Sequence, residues 1–451
     1  MGIFGTGMSA LAQYLRFDGI IVSGSDRLLN TSDTESMHAS LEAVGCTVTV
    51  QDGSGIRHDT DAVCVSTAIE ETNPEIVAAR KYQIPVIHRS DLLAAIVESK
   101  DTIAVAGTSG KSTVTAMIFE LLSACGKSPS LISGAPLRRL ERQGLVGNAY
   151  SGASDLLVVE ADESDGTLVK YRPEISVVLN VSKDHRSIEE ITEFFKILLS
   201  RSRWRITNAD DPVLACVASD TTFGRTVSAS WHPDREELLP MSVKLFRKGF
   251  VYDLQGPGKH SLENLRAALC VCEHLGCEEA RLADAVSAFE GVSRRFTLFE
   301  TGEGVYVVDD FAHNPAKISA VVEATRGFAS RIIAIYQPHG YGPTRFLREE
   351  YVSAFRSIFK DNDELILLPI YYAGGTAIKD ISSDDLIGDL IKSGVPFAAT
   401  AVNNRSHLLS LLESKASSGD CVLLMGARDP SLPALARDIC ALFGGLVKNQ
   451  S

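Results

Sequence analysis

Gly107-Thr108-Ser109-Gly110-Lys111-Ser112-Thr113 stands between an apolar run, Thr102 to Ala106, and an apolar helical segment. In that setting, backbone N–H groups at a helix start cradle phosphates, Lys111 neutralises the β/γ oxygens and Ser112 offers its hydroxyl to magnesium. The spacing falls short of the full Walker pattern, because Val105 occupies the place of its first glycine. A Gly-Lys-Ser-Thr turn between strand and helix still rarely arises for structural reasons alone. Further on, Leu156-Leu157-Val158-Val159 runs into Glu160-Ala161-Asp162-Glu163-Ser164-Asp165, carboxylates at the end of a strand, where hydrated magnesium beside ATP phosphates is commonly held. Glu160 sits at the strand tip; solvated acids capping a strand explain the later three equally well. The next strand leads through Asn180 into Ser182-Lys183-Asp184-His185. A lone His is more often a satisfied structural residue than a ligand, but His185 follows two phosphate motifs in order.

A second glycine turn opens the chain. Gly5-Thr6-Gly7-Met8-Ser9-Ala10 satisfies the G-x-G-x-x-A spacing that lets a backbone turn tightly against a diphosphate, and Asp26 in Gly24-Ser25-Asp26 lies roughly 20 positions on, where a ribose hydroxyl is bound. A tight turn without a ligand has the same pattern. The sequence begins almost at this loop, so either the start is short or the sheet lacks the strand that normally precedes it.

To position these turns the chain needs parallel sheets covered by helices, and the pattern supplies them. Apolar β-branched runs alternate with helical periods, predicting strands at Ile20-Ile21-Val22, Ala62 to Val65, Ile103 to Val105, Leu156 to Val159, Val177 to Leu179, Val305 to Val308, Ile332 to Ile335 and Cys421 to Leu424. Helices are expected over 112 to 124, 262 to 275 and 315 to 326. Polar breaks near Glu98 to Asp101 and near Gly291 to Arg295 divide this α/β chain into three domains, 1–98, 99–295 and 296–451.

With 451 residues, 45% apolar and 22% charged, the chain has a globular balance and is too long for one ordinary core. A net charge of -13 argues against general nucleic-acid binding, which needs an extended basic face. Nine cysteines without paired CxxC motifs read as reduced core thiols of a cytoplasmic protein, and the cluster Cys270, Cys272 and Cys277 has no matching His/Cys set for zinc. No run is long and apolar enough for membrane insertion, and no basic leader precedes an apolar stretch.

The ordered set Gly-Thr-Ser-Gly-Lys-Ser-Thr, Glu-Ala-Asp-Glu-Ser-Asp, Asn-Val-Ser-Lys-Asp-His and Asn208-Ala209-Asp210-Asp211-Pro212 resembles the central domain of the Mur ligases. Gly5 to Met8, Ser23 to Asp26, Val65-Ser66-Thr67-Ala68-Ile69, Asn73-Pro74-Glu75 and Ile84 to Arg89 are similar to the branch that adds alanine. The likeness continues through Gly258 to Asn264, Arg294-Arg295-Phe296, Asp309 to Pro315 and Gln337-Pro338-His339, nearly the whole chain.

This resemblance implies a Rossmann-like N-terminal domain for the UDP-sugar, a central P-loop ATPase domain and a Rossmann-like C-terminal domain for the amino acid, with catalysis at their junction. It implies ATP and Mg2+, and ligation of L-alanine to UDP-N-acetylmuramate through an acyl phosphate in peptidoglycan synthesis. The sugar nucleotide falls to Gly5, Thr6, Gly7, Met8, Ser25, Asp26, Ser66, Thr67 and Arg89. ATP falls to Gly107 through Thr113 (Gly107, Thr108, Ser109, Gly110, Lys111, Ser112, Thr113), Asn264, Arg295, Asp310 and His313. The metal falls to Ser112, Glu160 and His185, and catalysis to Lys111, Glu160, His185 and Arg295. Alone, Arg295 reads as a solvated boundary charge, and Asp310 with His313 as a polar turn after a strand.

Several positions depart from the alanine-adding pattern: Ser109 for a His, Ser261 for an Asn, Asn314 for a second His, and Gly340 where an Arg follows His339. The last bears on the incoming amino acid, for which His339, Tyr341 and Arg345 are the candidates, Arg345 as the cation for its carboxylate; capping or solvating the following helix is the equal alternative for Arg345. Lys196, the candidate for a carbamylated metal lysine in some relatives, reads more simply as a surface residue. A recycling ligase that attaches a tripeptide to the same sugar nucleotide shares every ATP motif, and a non-catalytic nucleotide-binding regulator is the alternative of another class. The sequence assigns no oligomeric state.

Overall fold

A computed structural model describes residues 1–31, 34–164, 166–182, 186–372 and 378–445. They form two compact units, Met1–Glu236 with Lys244–Leu254 and Leu262–Val292, and Glu237–Val243 with Gln255–Ser261 and Ser293–Ser451.

In the first unit, four short strands make two parallel ribbons: β1 (Ser23–Ser25) with β2 (Thr47–Thr49), and β3 (Val63–Val65) with β4 (Val86–His88). Here the structure departs from the sequence reading. Ile20-Ile21-Val22 is not a strand; pairing begins at Ser23, and Ile21 is 93% exposed. Among the described residues no strand joins β1 to β3, and Ile20 and Ile21 are left exposed, whereas Val22 packs against the small core of Ile3, Phe4 and Leu41. Met1–Ile3 reach across: the Met1 amine donates to the Cys64 carbonyl at 2.8 Å, and the amides of Gly2 and Ile3 donate to the Ser25 carbonyl at 2.7 and 3.0 Å. A groove of about 440 Å³ lies there, lined among others by Ile20, Ile21, Val63 and Leu92.

The same unit holds a seven-stranded sheet of β5 (Asp101–Ala106), β6 (Ser130–Ile132), β7 (Ala149–Tyr150), β8 (Leu156–Glu160), β9 (Ile175–Val178), β10 (Trp204–Asn208) and β11 (Thr221–Phe223). Its order is β11-β10-β9-β5-β8-β6-β7, and only β6 with β7 runs antiparallel. Thr102 through Ala106 are all buried, the continuous apolar reading of a strand covered on both faces. The helix Thr6–Phe17, which begins in the first glycine turn, packs Ala10, Leu11 and Tyr14 into one core with Ala104, Ala106, Leu157 and Val159.

A three-stranded sheet follows, β12 (Arg235–Leu238), β13 (Ser242–Arg247) and β14 (Phe250–Gln255). The second unit carries a six-stranded sheet of β15 (Thr297–Glu300), β16 (Tyr306–Asp310), β17 (Arg331–Gln337), β18 (Glu364–Leu367), β19 (Ala398–Ala401) and β20 (Asp420–Gly426), in the order β15-β16-β20-β17-β18-β19. Only β15 runs antiparallel to its neighbour. Along β17, Ile332, Ala334 and Tyr336 enter one core and Ile333 and Ile335 the other, so both faces are covered and the α/β class is realised.

One buried acid sets a pH dependence of stability. Burial pushes the Glu120 carboxyl up to about 7, against the pull of Arg139, whose Nε stands 3.6 Å away. In the unfolded chain this group ionises near its ordinary value, so the unfolded state gives up its proton first. Its stabilising contribution is therefore full at acid pH and is lost as pH rises towards and through about 7. Glu120→Gln, neutral throughout, is expected to gain in Tm relative to the parent between pH 5 and pH 8 by about 2 °C or more. A difference that stays constant or shrinks over that range in thermal melts rules out this assignment.

Candidate active site

Parallel strands end side by side, and their order decides which loops meet. β5 lies between β8 and β9, with Val105 in register with Glu160 and Ala106 with Val178. The turn after β5, the acids after β8 and the polar loop after β9 therefore open at one edge of the sheet, where ligands of such sheets bind.

Gly107–Gly110 is held from the β9 side by Asn180. Asn180 Oδ1 accepts from the Ser109 amide at 2.9 Å and from Thr108 Oγ1 at 2.9 Å, while its Nδ2 donates to the Ser109 carbonyl at 3.1 Å. Ser182 adds contacts to Thr108 Oγ1, its hydroxyl at 2.8 Å and its amide at 3.0 Å. Gly110 has φ +85° and is the N-cap of the helix Lys111–Ala124. A Cβ there would collide with Asn264 Oδ1 as well as strain the backbone, so the turn and Asn264 are in direct contact.

Lys111 Nζ donates to the Gly107 carbonyl at 2.9 Å and to Glu163 Oε2 at 2.7 Å, with Asp162 Oδ1 at 3.4 Å. Burial pulls the ammonium down, but Glu163, Asp162 and Glu160 outweigh it and hold it above the ordinary lysine range. Burial raises the Glu163 carboxyl despite Lys111; Asp162 is also desolvated, yet Lys111 and Ser164 carry it below its usual value. The lysine is thus paired with two carboxylates of the loop after β8. Glu160 stands apart from that pair: Oε2 accepts from the Gly134 amide at 2.8 Å and lies 3.5 Å from Ser133 Oγ. A Cβ on Gly134 would lie within 2.9 Å of both carboxylate oxygens, so a glycine is what lets the backbone approach. Ser112 is buried on the first helical turn. His185, with Lys183, Asp184 and Asp165, lies outside the described residues. Lys196 is half-exposed and pairs with Glu193 at 2.7 Å on its own helix, as expected of a surface lysine.

Around the first glycine turn, the Asp26 carboxylate accepts from the amides of Phe4 and Leu28, each at 3.0 Å, so it fastens the turn itself. Ser25 Oγ donates to buried Glu75 at 2.5 Å. Arg89 opens the helix Arg89–Glu98, and its guanidinium lies where a Cβ on Gly7 would fall. Ser66 and Thr67 follow β3. Thr6 is tied to the central sheet by Asn148, whose Nδ2 donates to the Thr6 carbonyl at 2.9 Å and whose Oδ1 accepts from Gln13 at 2.7 Å.

In the second unit, Arg294 takes the structural role, bonding Asp309 at 3.2 Å and the carbonyls of Ala427 and Gly426 at 3.1 and 2.7 Å. Arg295 lies 4.9 Å over the Phe311 ring. Asp310 accepts from the amides of Phe296 and Ala312, both at 2.7 Å; burial raises it, with Arg295 pulling the other way. The rings of His313 and His339 meet edge-on at 5.3 Å. Arg345 is engaged by Asp380 and by the Ile378 carbonyl. Tyr341 lies 5.6 Å from Tyr372, and Lys379, a cation the motif reading passed over, sits 4.7 Å over the Tyr372 ring.

Comparison with known proteins decides the family. Three Mur ligase models match consecutive stretches: the catalytic domain at residues 1–101, the middle domain at 105–272 and the glutamate ligase domain at 294–428. A UDP-N-acetylmuramate--L-alanine ligase of Rhizobium meliloti (strain 1021) is 32% identical, over 95% of this chain and 93% of its own. The chain belongs to the Mur ligase family. Its relative of the same description in Bradyrhizobium diazoefficiens is 33% identical over 95% of this chain and 94% of its own. Among solved structures, a UDP-N-acetylmuramate-alanine ligase from Thermotoga maritima is 27% identical with TM-score 0.78, over 97% of this chain and 96% of that one. A murein peptide ligase from Psychrobacter arcticus shares the fold at 20% identity and TM-score 0.68, over 99% of this chain and 98% of that one.

In this Mur ligase, Asn180 and Asn148 are the positioning residues that motif reading missed. Asn180 follows β9 and Asn148 immediately precedes β7, each beside a glycine turn distant in sequence; Asn180 heads the Asn-Val-Ser-Lys-Asp-His motif without its holding role being legible there, and Asn148 belongs to no motif.

Glu160 offers a hard oxygen donor beside the phosphate turn, which suits magnesium. Glu160→Ala is expected to raise the Mg2+ concentration for half-maximal activity about ten- to hundredfold, a range that even outer-shell losses reach. An unchanged magnesium titration moves the metal to Asp162 or Glu163.

Proposed function

We propose that this Mur ligase joins L-alanine to the carboxylate of UDP-N-acetylmuramate at the expense of ATP, in peptidoglycan synthesis. The observation that carries the chemistry is the meeting of the Gly107–Thr113 turn, Lys111 and Glu160 at neighbouring strand ends. The acceptor and sugar nucleotide rest on relatives of that description matched over nearly their whole length. Residues 1–98 hold the sugar nucleotide, 99–295 the ATP and 296–451 the amino acid. The cytoplasm is its proposed place; no helix among the described residues is long and apolar enough to cross a membrane.

A carboxylate is not displaced by an amine at useful rates because oxide is a poor leaving group. Transfer of the γ-phosphoryl makes an acyl phosphate, the amine attacks its carbonyl and phosphate departs. Most catalysis of such a transfer is positioning and charge stabilisation, here by the backbone amides of the turn and by Lys111. Mg2+ supplies further charge neutralisation when bound, and Ser112, Glu160 and His185 are the residues proposed to hold it.

The test is phosphate release with UDP-N-acetylmuramate across amino acids and the tripeptide. Turnover with L-alanine is expected; turnover with tripeptide alone overturns the reading. Within that assay Arg345→Ala is expected to raise the KM for L-alanine at least about tenfold, the effect of losing roughly 1.4 kcal/mol of binding, with the KM of ATP and sugar nucleotide unchanged. If Lys379→Ala gives that effect instead, the carboxylate belongs to Lys379, which, unlike Arg345 with Asp380, has no carboxylate partner among the described residues.

A further inference from the structure

Three buried polar side chains, Ser9, Gln13 and Asn148, each at most 1% exposed, form one hydrogen-bonded group against the helix Thr6–Phe17. Asn148 Nδ2 donates to the Thr6 carbonyl at 2.9 Å and to Ser9 Oγ at 3.0 Å, and Asn148 Oδ1 accepts from Gln13 Nε2 at 2.7 Å. Gln13 Nε2 also donates to the Ser9 carbonyl at 3.0 Å. A main-chain carbonyl can only accept, so these partners fix which way each amide faces. Thr6 stands between Gly5 and Gly7, and the group therefore holds the first glycine turn.

The side chain of Asn148 serves that turn, and its backbone serves Glu160 at the tip of β8. Asn148 precedes β7, which pairs antiparallel with β6, Ala149 opposite Ile132. The ladder continues by one bond, from the Ser133 amide to the Asn148 carbonyl at 2.9 Å. The next amide along, that of Gly134, donates to Glu160 Oε2 at 2.8 Å, and Ser133 Oγ lies 3.5 Å from the same oxygen. Thr6 and Glu160, distant in sequence, are thus joined through Asn148 and the Ser133–Gly134 peptide. With the Asn148 amide engaged at both its nitrogen and its oxygen, any turn of the side chain leaves a buried group unpaired, which is costly. A shift of the glycine turn is therefore passed on to Ser133–Gly134 rather than absorbed.

We propose, resting on the sites assigned under the proposed function, that Asn148 is a positioning residue that couples them. The sugar nucleotide at the Gly5–Gly7 turn and magnesium-bound ATP beside Glu160 each bind more tightly when the other is present. The sugar nucleotide fixes the turn, the turn fixes Asn148, and Asn148 fixes the Gly134 amide that orients the Glu160 carboxylate. Linkage makes the effect reciprocal, each ligand changing the other's affinity by the same factor. Its chemical value is that ATP is placed for transfer when the carboxylate that receives the phosphoryl group is bound, and less well when water is the only acceptor.

The experiment is calorimetric titration of the full-length protein with UDP-N-acetylmuramate, with and without Mg2+ and the non-hydrolysable ATP analogue adenylyl imidodiphosphate, no amino acid being present. In the parent protein the Kd of the sugar nucleotide is expected to fall at least about fivefold when Mg2+ and the analogue are bound, the lower end of coupling between sites. The reverse titration gives the same factor for the analogue. With EDTA in place of Mg2+ the factor shrinks towards one, because the link ends on the acid that holds the metal. In Asn148→Ala each ligand still binds alone and the factor is lost; an Asn148 that only supports the fold lowers the Tm and leaves the factor intact. Equal affinities in the parent with and without the analogue, or a factor undiminished by EDTA, overturn the proposal without any variant having to fold, and a factor that survives in folded Asn148→Ala overturns it as well. A parent protein that does not bind UDP-N-acetylmuramate at all refutes the functional reading and the coupling with it, whereas binding without coupling refutes the coupling alone.

Discussion

Lys111→Ala abolishes amide formation, with kcat falling by at least about 10²- to 10³-fold, the loss typical of removing one donor aimed at developing charge. The lysine is hydrogen-bonded into the turn through the Gly107 carbonyl, and without it γ-phosphoryl transfer proceeds with oxygens uncompensated. Truncation also leaves Glu163 buried without its partner, and one widowed partner of a buried ion pair costs about 3–5 kcal/mol. Glu163 relieves part of that by taking up a proton, since burial already raises its carboxyl. The single variant is therefore expected to melt somewhat lower, and Lys111→Ala with Glu163→Gln to regain stability without regaining activity. Phosphate release and thermal melts on both variants separate the roles. Near-parental turnover in a folded Lys111→Ala protein refutes the assignment, and recovery of activity in the double variant reduces Lys111 to a structural residue.

Gly7→Val raises the KM for UDP-N-acetylmuramate by about tenfold or more, a loss of roughly 1.4 kcal/mol or greater, with ATP binding kept. A side chain at Gly7 must enter the space of the Arg89 guanidinium, so it displaces a cation of the proposed sugar-nucleotide site as well as crowding the diphosphate. The obstacle is space rather than backbone conformation: Gly7 lies in the first turn of the helix Thr6–Phe17 and is not among the residues with positive φ. The glycine turn packs through Ala10, Leu11 and Tyr14 onto the central core, so melts run beside the kinetics show whether the damage is local. Loss of ATP binding with sugar-nucleotide binding intact means the two sites are reversed.

The sequence by itself determined the class, most of the strands and the place of the phosphate turn. Strands buried on both faces, such as β5 and β17, have to be written in unbroken apolar residues, and a turn that cradles phosphate needs glycines and a lysine at fixed offsets. Those are local constraints and leave local marks. What the side chains at the strand ends touch is not local. Asp26 has the position of a ribose ligand in the motif, yet its carboxylate is taken up by the amides of Phe4 and Leu28. Asn148 lies in no motif, and the motif that Asn180 heads does not show what it touches; they hold the two glycine turns because β9 lies beside β5 and β7 beside the first helix. Arg345 reads as a free cation until the fold brings Asp380 to it, and Lys379 acquires interest only when it comes to lie over Tyr372. Ile20-Ile21-Val22 has the composition of a strand, but a strand is a pairing, and no described strand joins β1 to β3 beside it. Pairing, like the company a buried charge keeps, is decided between residues far apart in the chain.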